Sequence, residues 1–525
     1  MTNYKGMRFS TGDKIPASEK LLKDIPLVGE VSFSEFEDEK ADIKGKPIVC
    51  ANCGAILTNV KDVQTDAKIG TYFNCTYCGK VNVIDPKDLP HNINAYSGWL
   101  IPPDTTKPDF GKGIQKGNSL IAALDVSGSM SGAKIEGVKQ SLVSTLKAYS
   151  KTKADALFGL VTFESNLRIY SPEGEEVLNI GGDILYDVKA IEKEVANNSW
   201  VKKQLPKMTI DSTGKQWQKT IQKMQALSST ALGPAVVAAR IMSLAAGTGR
   251  ILLLTDGMAN EGIGSLSGAS PEGKQFYTMI GNALKESGIV LDIVGIAGEG
   301  SLELKTLALM PEITGGDLFY ADLSELQDSF GLIAGDQIIG RNARIKLIVP
   351  DEIELSTVSG MGTRELAYKR GDDISLGGLT KSRSIAFEFK PKKKVSDRKK
   401  VPVQVQIRYK DEEDNERIRV IEKELEVSEI KEELEKSLDA DLIAGYTVQR
   451  AAQVMQRDRK EGKKMMSDMR QTLAKAAPGA KAAQEYLDDE LEEMEEIMAE
   501  EAAGVARSAD KIQAQSYRMS KKRKK

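Results

Sequence analysis

Short, continuous hydrophobic runs alternate with segments of helical periodicity between about residues 119 and 333. Such runs are typical of strands buried on both faces of a parallel sheet, and they read SLIAALDV, ALFGLVTF, RILLLTDG, IVLDIVGIA and DLFYA. Apolar residues three or four positions apart predict one face of a helix between the first two runs, namely Ile135, Val138, Leu142, Leu146 and Tyr149. The pattern predicts an α/β domain over 115–335, with a doubly wound, mostly parallel sheet covered by helices.

One connection between two predicted strands of this domain is longer than a single crossover helix requires. Residues 164–228 contain SPEGEEVLNIGGDILYDVKAIEKEV and KQWQKTIQKMQAL. They predict an added turn and two helices. We expect Trp200 and Trp217 to belong to the core there, the alternative being a partner surface.

The hydrophobic period changes from helical to two after Ile339. Alternation is clearest at Val401, Val403, Val405, Ile407 and Tyr409, and DEEDNE then predicts a turn into ERIRVIEKELEV. We expect a small antiparallel β-sandwich over 340–428. The extension over 1–45 contains EVSFSEFE, a candidate strand for the same sandwich.

The chain becomes helical again after Val427, which predicts a helical domain with a basic tail over 429–525. One stripe of its last predicted helix is apolar, at Leu487, Leu491, Met494, Met498 and Ala502. We expect this stripe to pack on the rest of the protein, the alternative being a coiled coil with a partner. The closing SKKRKK is either a solvated tail or a contact for anionic lipid or nucleic acid.

The net charge and the single histidine argue against several classes of function. The 525 residues carry a net charge of -3, which argues against a general nucleic-acid binder. With the single histidine His91, Ser-His-Asp and Cys-His catalysis would depend on one imidazole. No apolar leader or spanning segment is evident, so we expect a cytoplasmic protein, either free or peripheral to membranes.

All four cysteines lie in one short segment. Cys50 and Cys53 form one C-x-x-C pair, and Cys75 and Cys78 form a second. Glycine follows each pair and permits a tight turn that aims both sulfurs inward. The spacing predicts a zinc ribbon over 46–90 with one structural Zn²⁺, since four thiolates leave no open coordination position. The alternatives, two redox motifs or two disulfides, do not explain the paired turns.

Oxygen-bearing side chains gather at the predicted carboxyl ends of the strands. Asp125, Ser127 and Ser129 follow the first strand, Thr230 opens a later helix and Asp256 ends another strand. We call these five residues the oxygen cluster. Such ligands suit Mg²⁺ or Mn²⁺ and leave a coordination position for an outside carboxylate.

The pattern D-x-S-x-S followed by a distant Thr and a distant Asp resembles the metal-ion-dependent adhesion site of the von Willebrand factor A family. The resemblance implies that Asp125, Ser127 and Ser129 hold the ion. It also implies that Thr230 and Asp256 complete the shell, directly or through water. We therefore call residues 115–335 the A domain. The alternative is an A domain whose intact site stays vacant.

The order of ribbon, A domain, sandwich and helical domain resembles the inner-coat subunits of the COPII vesicle coat. Two features depart from that family: the acidic helix and basic tail replace a gelsolin-like domain, and the oxygen cluster is complete. We expect a non-enzymatic scaffold, alone or in a homo- or hetero-oligomer, that captures an acidic side chain of a protein partner on Mg²⁺. The alternative is an adaptor for a separate AAA-type ATPase. Nucleic-acid binding through ribbon and tail is disfavoured by the acidic last helix.

Overall fold

A computed structural model describes residues 6–34, 36, 42–90, 93–101, 116–227, 229–266, 271–298, 300–360, 362–363, 366–368, 371–392, 395–411, 413–505 and 507–521. His91 and the last four residues of the basic tail lie outside the described residues.

The described strands, in chain order, are β1 (Met7–Phe9), β2 (Lys14–Pro16), β3 (Val28–Ser32), β4 (Asp42–Lys44), β5 (Val63–Asp66), β6 (Gly70–Asn74), β7 (Val81–Val83), β8 (Tyr96–Ile101), β9 (Lys116–Asp125), β10 (Phe158–Phe163), β11 (Leu167–Tyr170), β12 (Glu176–Ile180), β13 (Thr248–Thr255), β14 (Val290–Ile296), β15 (Leu318–Ala321), β16 (Ile338–Ile348), β17 (Ile353–Ser359), β18 (Leu366–Ala367), β19 (Asp373–Thr380), β20 (Ser384–Pro391), β21 (Lys400–Lys410) and β22 (Glu416–Ser428).

The described α-helices are α1 (Ala133–Thr152), α2 (Val188–Asn197), α3 (Ser199–Lys203), α4 (Ile210–Gln222), α5 (Leu232–Ala246), α6 (Pro271–Glu286), α7 (Leu304–Leu307), α8 (Leu309–Thr314), α9 (Leu326–Gly335), α10 (Lys431–Lys436), α11 (Ala440–Met455), α12 (Arg459–Ala476), α13 (Lys481–Ala502) and α14 (Ser508–Ser520). None of these helices combines the length and the apolarity needed to cross a bilayer.

The A domain is built on a seven-stranded sheet of order β12-β11-β10-β9-β13-β14-β15. The five strands from β10 to β15 in this order run parallel. Alternate residues of β9 enter two different cores, because Ile121 packs into the cluster on one face and Leu120 into the cluster on the other. The predicted stripe of α1 is buried against the second face. The expected α/β fold class is therefore confirmed.

The long crossover differs from the expected turn and two helices. Its first part, β11 and β12, adds two antiparallel strands to the sheet, and α2, α3 and α4 follow. Trp217 is fully buried, with its ring centroid 5.2 Å from that of Phe158, and so belongs to the core as expected. Trp200 is half-buried between the two cores.

Two sheets form the predicted sandwich. One has the order β1-β3-β20-β17-β18 and the other β19-β16-β21-β22-β8-β4, with β2 beside β22. β21 and β22 pair antiparallel as the expected hairpin. Strand β3, which overlaps the start of the EVSFSEFE segment, pairs with both β1 and β20. Strand β8, which precedes the A domain in the chain, pairs with β22 and was not anticipated.

The C-terminal helices pack on the molecule, as expected for the apolar stripe. Leu487 and Met494 of α13 have no exposed surface and lie in the sandwich-side core, whereas Ala502 is exposed. The expectation that α13 is the last helix is wrong, because α14 follows it. Lys521, the first lysine of the basic tail, is buried against the A domain rather than solvated.

Candidate metal centres

The four cysteine sulfurs lie close enough to share one metal ion. Cys50 Sγ is 3.5 Å from Cys78 Sγ, and Cys53 Sγ is 3.5 Å from Cys75 Sγ. All four lie within 4.8 Å of one another. Tetrahedral Zn²⁺ with bonds of about 2.3 Å places sulfurs about 3.8 Å apart, so the set fits zinc.

The two C-x-x-C turns have the same backbone geometry. The amide of Gly54 donates to the carbonyl of Cys50 at 2.9 Å, and the amide of Gly79 donates to the carbonyl of Cys75 at 2.8 Å. Both glycines have positive φ angles, 76° and 71°, which other residues adopt only with strain. The turns therefore need glycine at these two positions, and they direct each pair of sulfurs toward the other pair.

The sulfurs also perturb one another's protonation. Burial raises the pKa of Cys53 to about 11, with the sulfurs of Cys78 and Cys50 adding to the increase and that of Cys75 opposing it. Burial also raises the pKa of Cys75, and the sulfur of Cys53 adds to that increase. Burial also opposes ionisation of Cys50, but backbone amides of Cys53 and Asn52 lower its pKa to about 6. A divalent cation at the centre would favour the thiolate form of all four sulfurs.

The ribbon is attached to the sandwich by a polar network on β21 and β22. Glu422 accepts hydrogen bonds from the hydroxyls of Thr58 and Tyr77, each at 2.7 Å. Gln404 Nε2 donates to Glu422 at 2.8 Å, and the side-chain oxygen of Gln404, Oε1, accepts from the backbone amide of Ile56 at 2.8 Å. These contacts fix the ribbon's position directly on the β-sandwich.

The oxygen cluster lies where the sequence places it, at the carboxyl ends of β9 and β13. Asp125 is the last residue of β9 and Asp256 directly follows β13. Ser129 Oγ donates to Asp256 Oδ1 at 2.6 Å, and Ser127 Oγ lies 3.1 Å from Ser129 Oγ. The amide of Ser127 donates to Asp125 Oδ1 at 2.8 Å, so hydrogen bonds connect these four residues.

Thr230 reaches the cluster from the loop before α5. A Cβ atom added at Gly257 would lie 3.4 Å from Ser129 Oγ and 3.6 Å from Thr230 Oγ1. The two hydroxyls therefore border the same space, which the absent side chain of Gly257 leaves open. Asn260 Oδ1 accepts from the Thr230 amide at 2.8 Å and holds the loop in place. An all-oxygen set around a small open space fits Mg²⁺ or Mn²⁺.

Asp125 lies at the base of the cluster with no exposed surface. Its second carboxylate oxygen accepts a hydrogen bond from Thr255 Oγ1 at 2.6 Å, a contact that the sequence pattern did not reveal. Burial raises the pKa of Asp125 to about 6, although the bonds from Ser127 and Thr255 oppose this increase. A cation beside this carboxylate would offset the penalty of burying its charge.

The structure adds a cation that the sequence pattern did not anticipate. Lys134 Nζ lies 2.6 Å from Asp256 Oδ2 and donates to the carbonyl of Ser129 at 3.2 Å. Asp256 has no exposed side-chain surface, whereas the Lys134 side chain is 24% exposed. One feature of the sequence could have pointed to this contact. Lys134 lies in the first turn of α1, where the helix dipole disfavours a cation unless an anion lies nearby.

Comparison with known proteins identifies the sandwich. Residues 340–428 match the family model of the Sec23/Sec24 beta-sandwich domain. The chain carries a Sec23/Sec24 β-sandwich domain. The Sec24-like fold extends well beyond it, because the structure resembles the human COPII-coat protein Sec24c with a TM-score of 0.68 and 14% identity. This match covers 98% of this chain and 73% of that chain. At this identity the match establishes the fold.

Two further proteins are similar over large parts of the chain. A von Willebrand factor type A protein from Catenulispora acidiphila aligns with a TM-score of 0.44 and 13% identity, over 72% of this chain and 82% of that chain. Circularly permutated Ras protein 1 of Dictyostelium discoideum is 21% identical over 464 residues. That match covers 81% of this chain, which spans about half of the curated relative (53%).

Proposed function

We propose that this protein is a non-enzymatic scaffold of the coat type that binds protein partners. The observation that carries the proposal is the Sec24-like fold along nearly the whole chain, together with the match of residues 340–428 to the Sec23/Sec24 sandwich. On this proposal the protein works in the cytoplasm, in a homo- or hetero-oligomer, with peripheral membrane contact through the basic tail. Its working units are the expected extension 1–45, ribbon 46–90, A domain 115–335, sandwich 340–428 and helical domain 429–525.

We further propose that the A domain captures an acidic side chain of a partner through a divalent cation. Asp125, Ser127 and Ser129 would hold Mg²⁺ or Mn²⁺, and Thr230 and Asp256 would complete the shell. The partner's carboxylate would fill the remaining position. The geometry that supports this is the hydrogen-bonded oxygen set around the open space at Gly257. The role of the ion would be anchoring, while the zinc of the ribbon would be structural.

Thermal unfolding tests the cation proposal directly. Mg²⁺ at a hundredfold its Kd should stabilise the wild type by about 2.7 kcal/mol relative to EDTA, and Asp125→Ala should abolish this response. Identical responses in the two proteins would refute the proposal.

A second substitution tests the open space itself. Gly257→Ala should fold, because the atoms nearest to the added methyl group would lie at ordinary contact distance. The methyl group would occupy the open space between the hydroxyls of Ser129 and Thr230, and it should therefore weaken Mg²⁺ binding. Gly331→Ala is the matched control, since no atom lies within 4 Å of the added Cβ. Unchanged Mg²⁺ affinity in Gly257→Ala would place the ion elsewhere.

The partner class is tested by affinity purification from the native organism with and without EDTA. A coat-type scaffold should recover small GTPases or membranes, with at least one partner lost in EDTA. Recovery of an AAA-type ATPase instead would favour the adaptor function over the coat function.

A further inference from the structure

Lys134 lies where it competes directly with a divalent cation. Its ammonium group contacts Asp256 Oδ2 at 2.6 Å and the Ser129 carbonyl at 3.2 Å. The other oxygen of Asp256 accepts from Ser129 Oγ. Asp256 and Ser129 both belong to the oxygen cluster. The ammonium of Lys134 therefore already neutralises the buried Asp256 carboxylate, which a divalent cation would need as a ligand.

The surroundings favour this position of the ammonium despite the local helix. Lys134 is the second residue of α1, a twenty-residue helix whose N-terminal end repels cations. A Cβ atom added at Gly298 would lie only 2.9 Å from Lys134 Nζ and 3.6 Å from the carbonyl of Asp256. Glycine at 298 thus leaves the room that the lysine side chain occupies beside Asp256.

We propose that Lys134 is a built-in counter-cation that must leave Asp256 before a divalent cation binds at the oxygen cluster. The inference rests on the proposed metal-dependent capture and adds its regulation: the site is closed by an internal cation in the metal-free protein. The Lys134 side chain is 24% exposed and therefore borders solvent, into which it can move when an ion replaces it at Asp256. The lysine is then a positioning residue that sets the threshold of divalent-cation concentration at which the site opens.

The test measures Mg²⁺ and Mn²⁺ binding to the full chain by titration calorimetry, with Mn²⁺ binding also followed by electron paramagnetic resonance. Lys134→Met retains the length of the side chain and removes its charge, and should lower the Kd for both ions by about tenfold or more. Lys134→Arg keeps the charge and should retain the weak wild-type affinity. Lys147→Met, at an exposed position of the same helix, is the matched control and should bind as the wild type does.

The outcomes separate this inference from the proposed function. Tighter binding in Lys134→Met than in the wild type, with Lys134→Arg and Lys147→Met unchanged, supports it. Equal affinity of the wild type and Lys134→Met overturns the inference and leaves metal-dependent capture intact. Absence of binding in both proteins overturns the inference and the proposed capture together. Circular dichroism spectra matching the wild type establish that each variant is folded.

Discussion

Replacing Asp510 with alanine should release helix α14 from the A domain. The Asp510 side chain accepts hydrogen bonds from the amide of Leu302 at 2.6 Å and from the amide of Leu304 at 2.8 Å. Asp510 is 2% exposed, and neither leucine has exposed surface. Alanine would therefore leave two buried N–H groups without an acceptor.

The magnitude follows from these two bonds. A hydrogen bond to a charged group contributes about 1.5–3 kcal/mol, and a buried donor without a partner costs about 1–3 kcal/mol. The bond from the Tyr517 hydroxyl to the Gly316 carbonyl, at 2.7 Å, remains and limits the loss. We expect the free energy of opening α14 to fall by about 3 kcal/mol, which is roughly a 150-fold increase in the opening equilibrium constant.

Native-state hydrogen exchange followed by mass spectrometry measures this change. In Asp510→Ala, peptides covering α14 and residues 302–307 should lose protection, while peptides from β9 and β13 keep theirs. Asp489→Ala, at an exposed position of α13, is the control and should leave α14 unchanged. If α14 in Asp510→Ala is protected to within about 0.5 kcal/mol of the wild type, these bonds do not hold it.

Three further predictions concern the ribbon and the core. Metal analysis should find one zinc per chain in the wild type and a strong loss in Cys75→Ser; equal zinc content would exclude the four-thiolate site. Glu422→Ala should make chelator-driven zinc release several-fold faster because three hydrogen bonds to Glu422 disappear, whereas the exposed Glu424→Ala should not. Burial raises the pKa of Asp292 from 3.8 to about 6, so the folded protein holds a proton on this carboxyl more tightly than the unfolded chain does. The stability gained from this proton is present below pH 4 and is lost as the pH rises through 6. Urea unfolding should show the wild type losing stability relative to Asp292→Asn between about pH 4 and 7, and parallel pH profiles would contradict this.

The elements that the sequence predicts well are those whose own residues carry the burial pattern. β9 is apolar on both faces, and the stripe of α1 recurs every three or four residues, so both signals are local. The cysteine spacing is equally local, because each C-x-x-C turn positions its own two sulfurs. These segments have the structure expected from their periodicity or spacing.

The elements that were missed depend on distant contacts. β11 and β12 are short and partly exposed, so their alternation is weak, and β8 finds its partner β22 more than three hundred residues later in the chain. α14 is buried through polar side chains such as Asp510, Gln513 and Ser516. Hydrophobic periodicity does not reveal such a helix, because buried polar residues interrupt its apolar ones, and Asp510 accepts its hydrogen bonds from amides of the A domain.

The burial of α14 also explains how the A-domain sheet ends. β15 is the edge strand, and an uncovered edge presents unpaired backbone groups to other chains. Tyr517 and Lys521 donate to backbone carbonyls at Gly315 and Gly316, just before this strand. The C-terminal helix therefore contacts the chain just before this edge strand, and it joins the helical domain to the A domain.

The two candidate metal centres differ in how far the sequence pattern of their ligands predicts that an ion binds. The spacing of the four thiols in two tight turns brings the sulfurs together, and the same spacing creates the need for a metal ion. The oxygen cluster includes two carboxylates, and a cation can reach Asp256 from solution or from the chain itself. Lys134 supplies one from the adjoining helix. On the proposed function, the D-x-S-x-S pattern supplies ligands for the ion, and we expect the affinity for that ion to depend on Lys134, which lies outside the pattern.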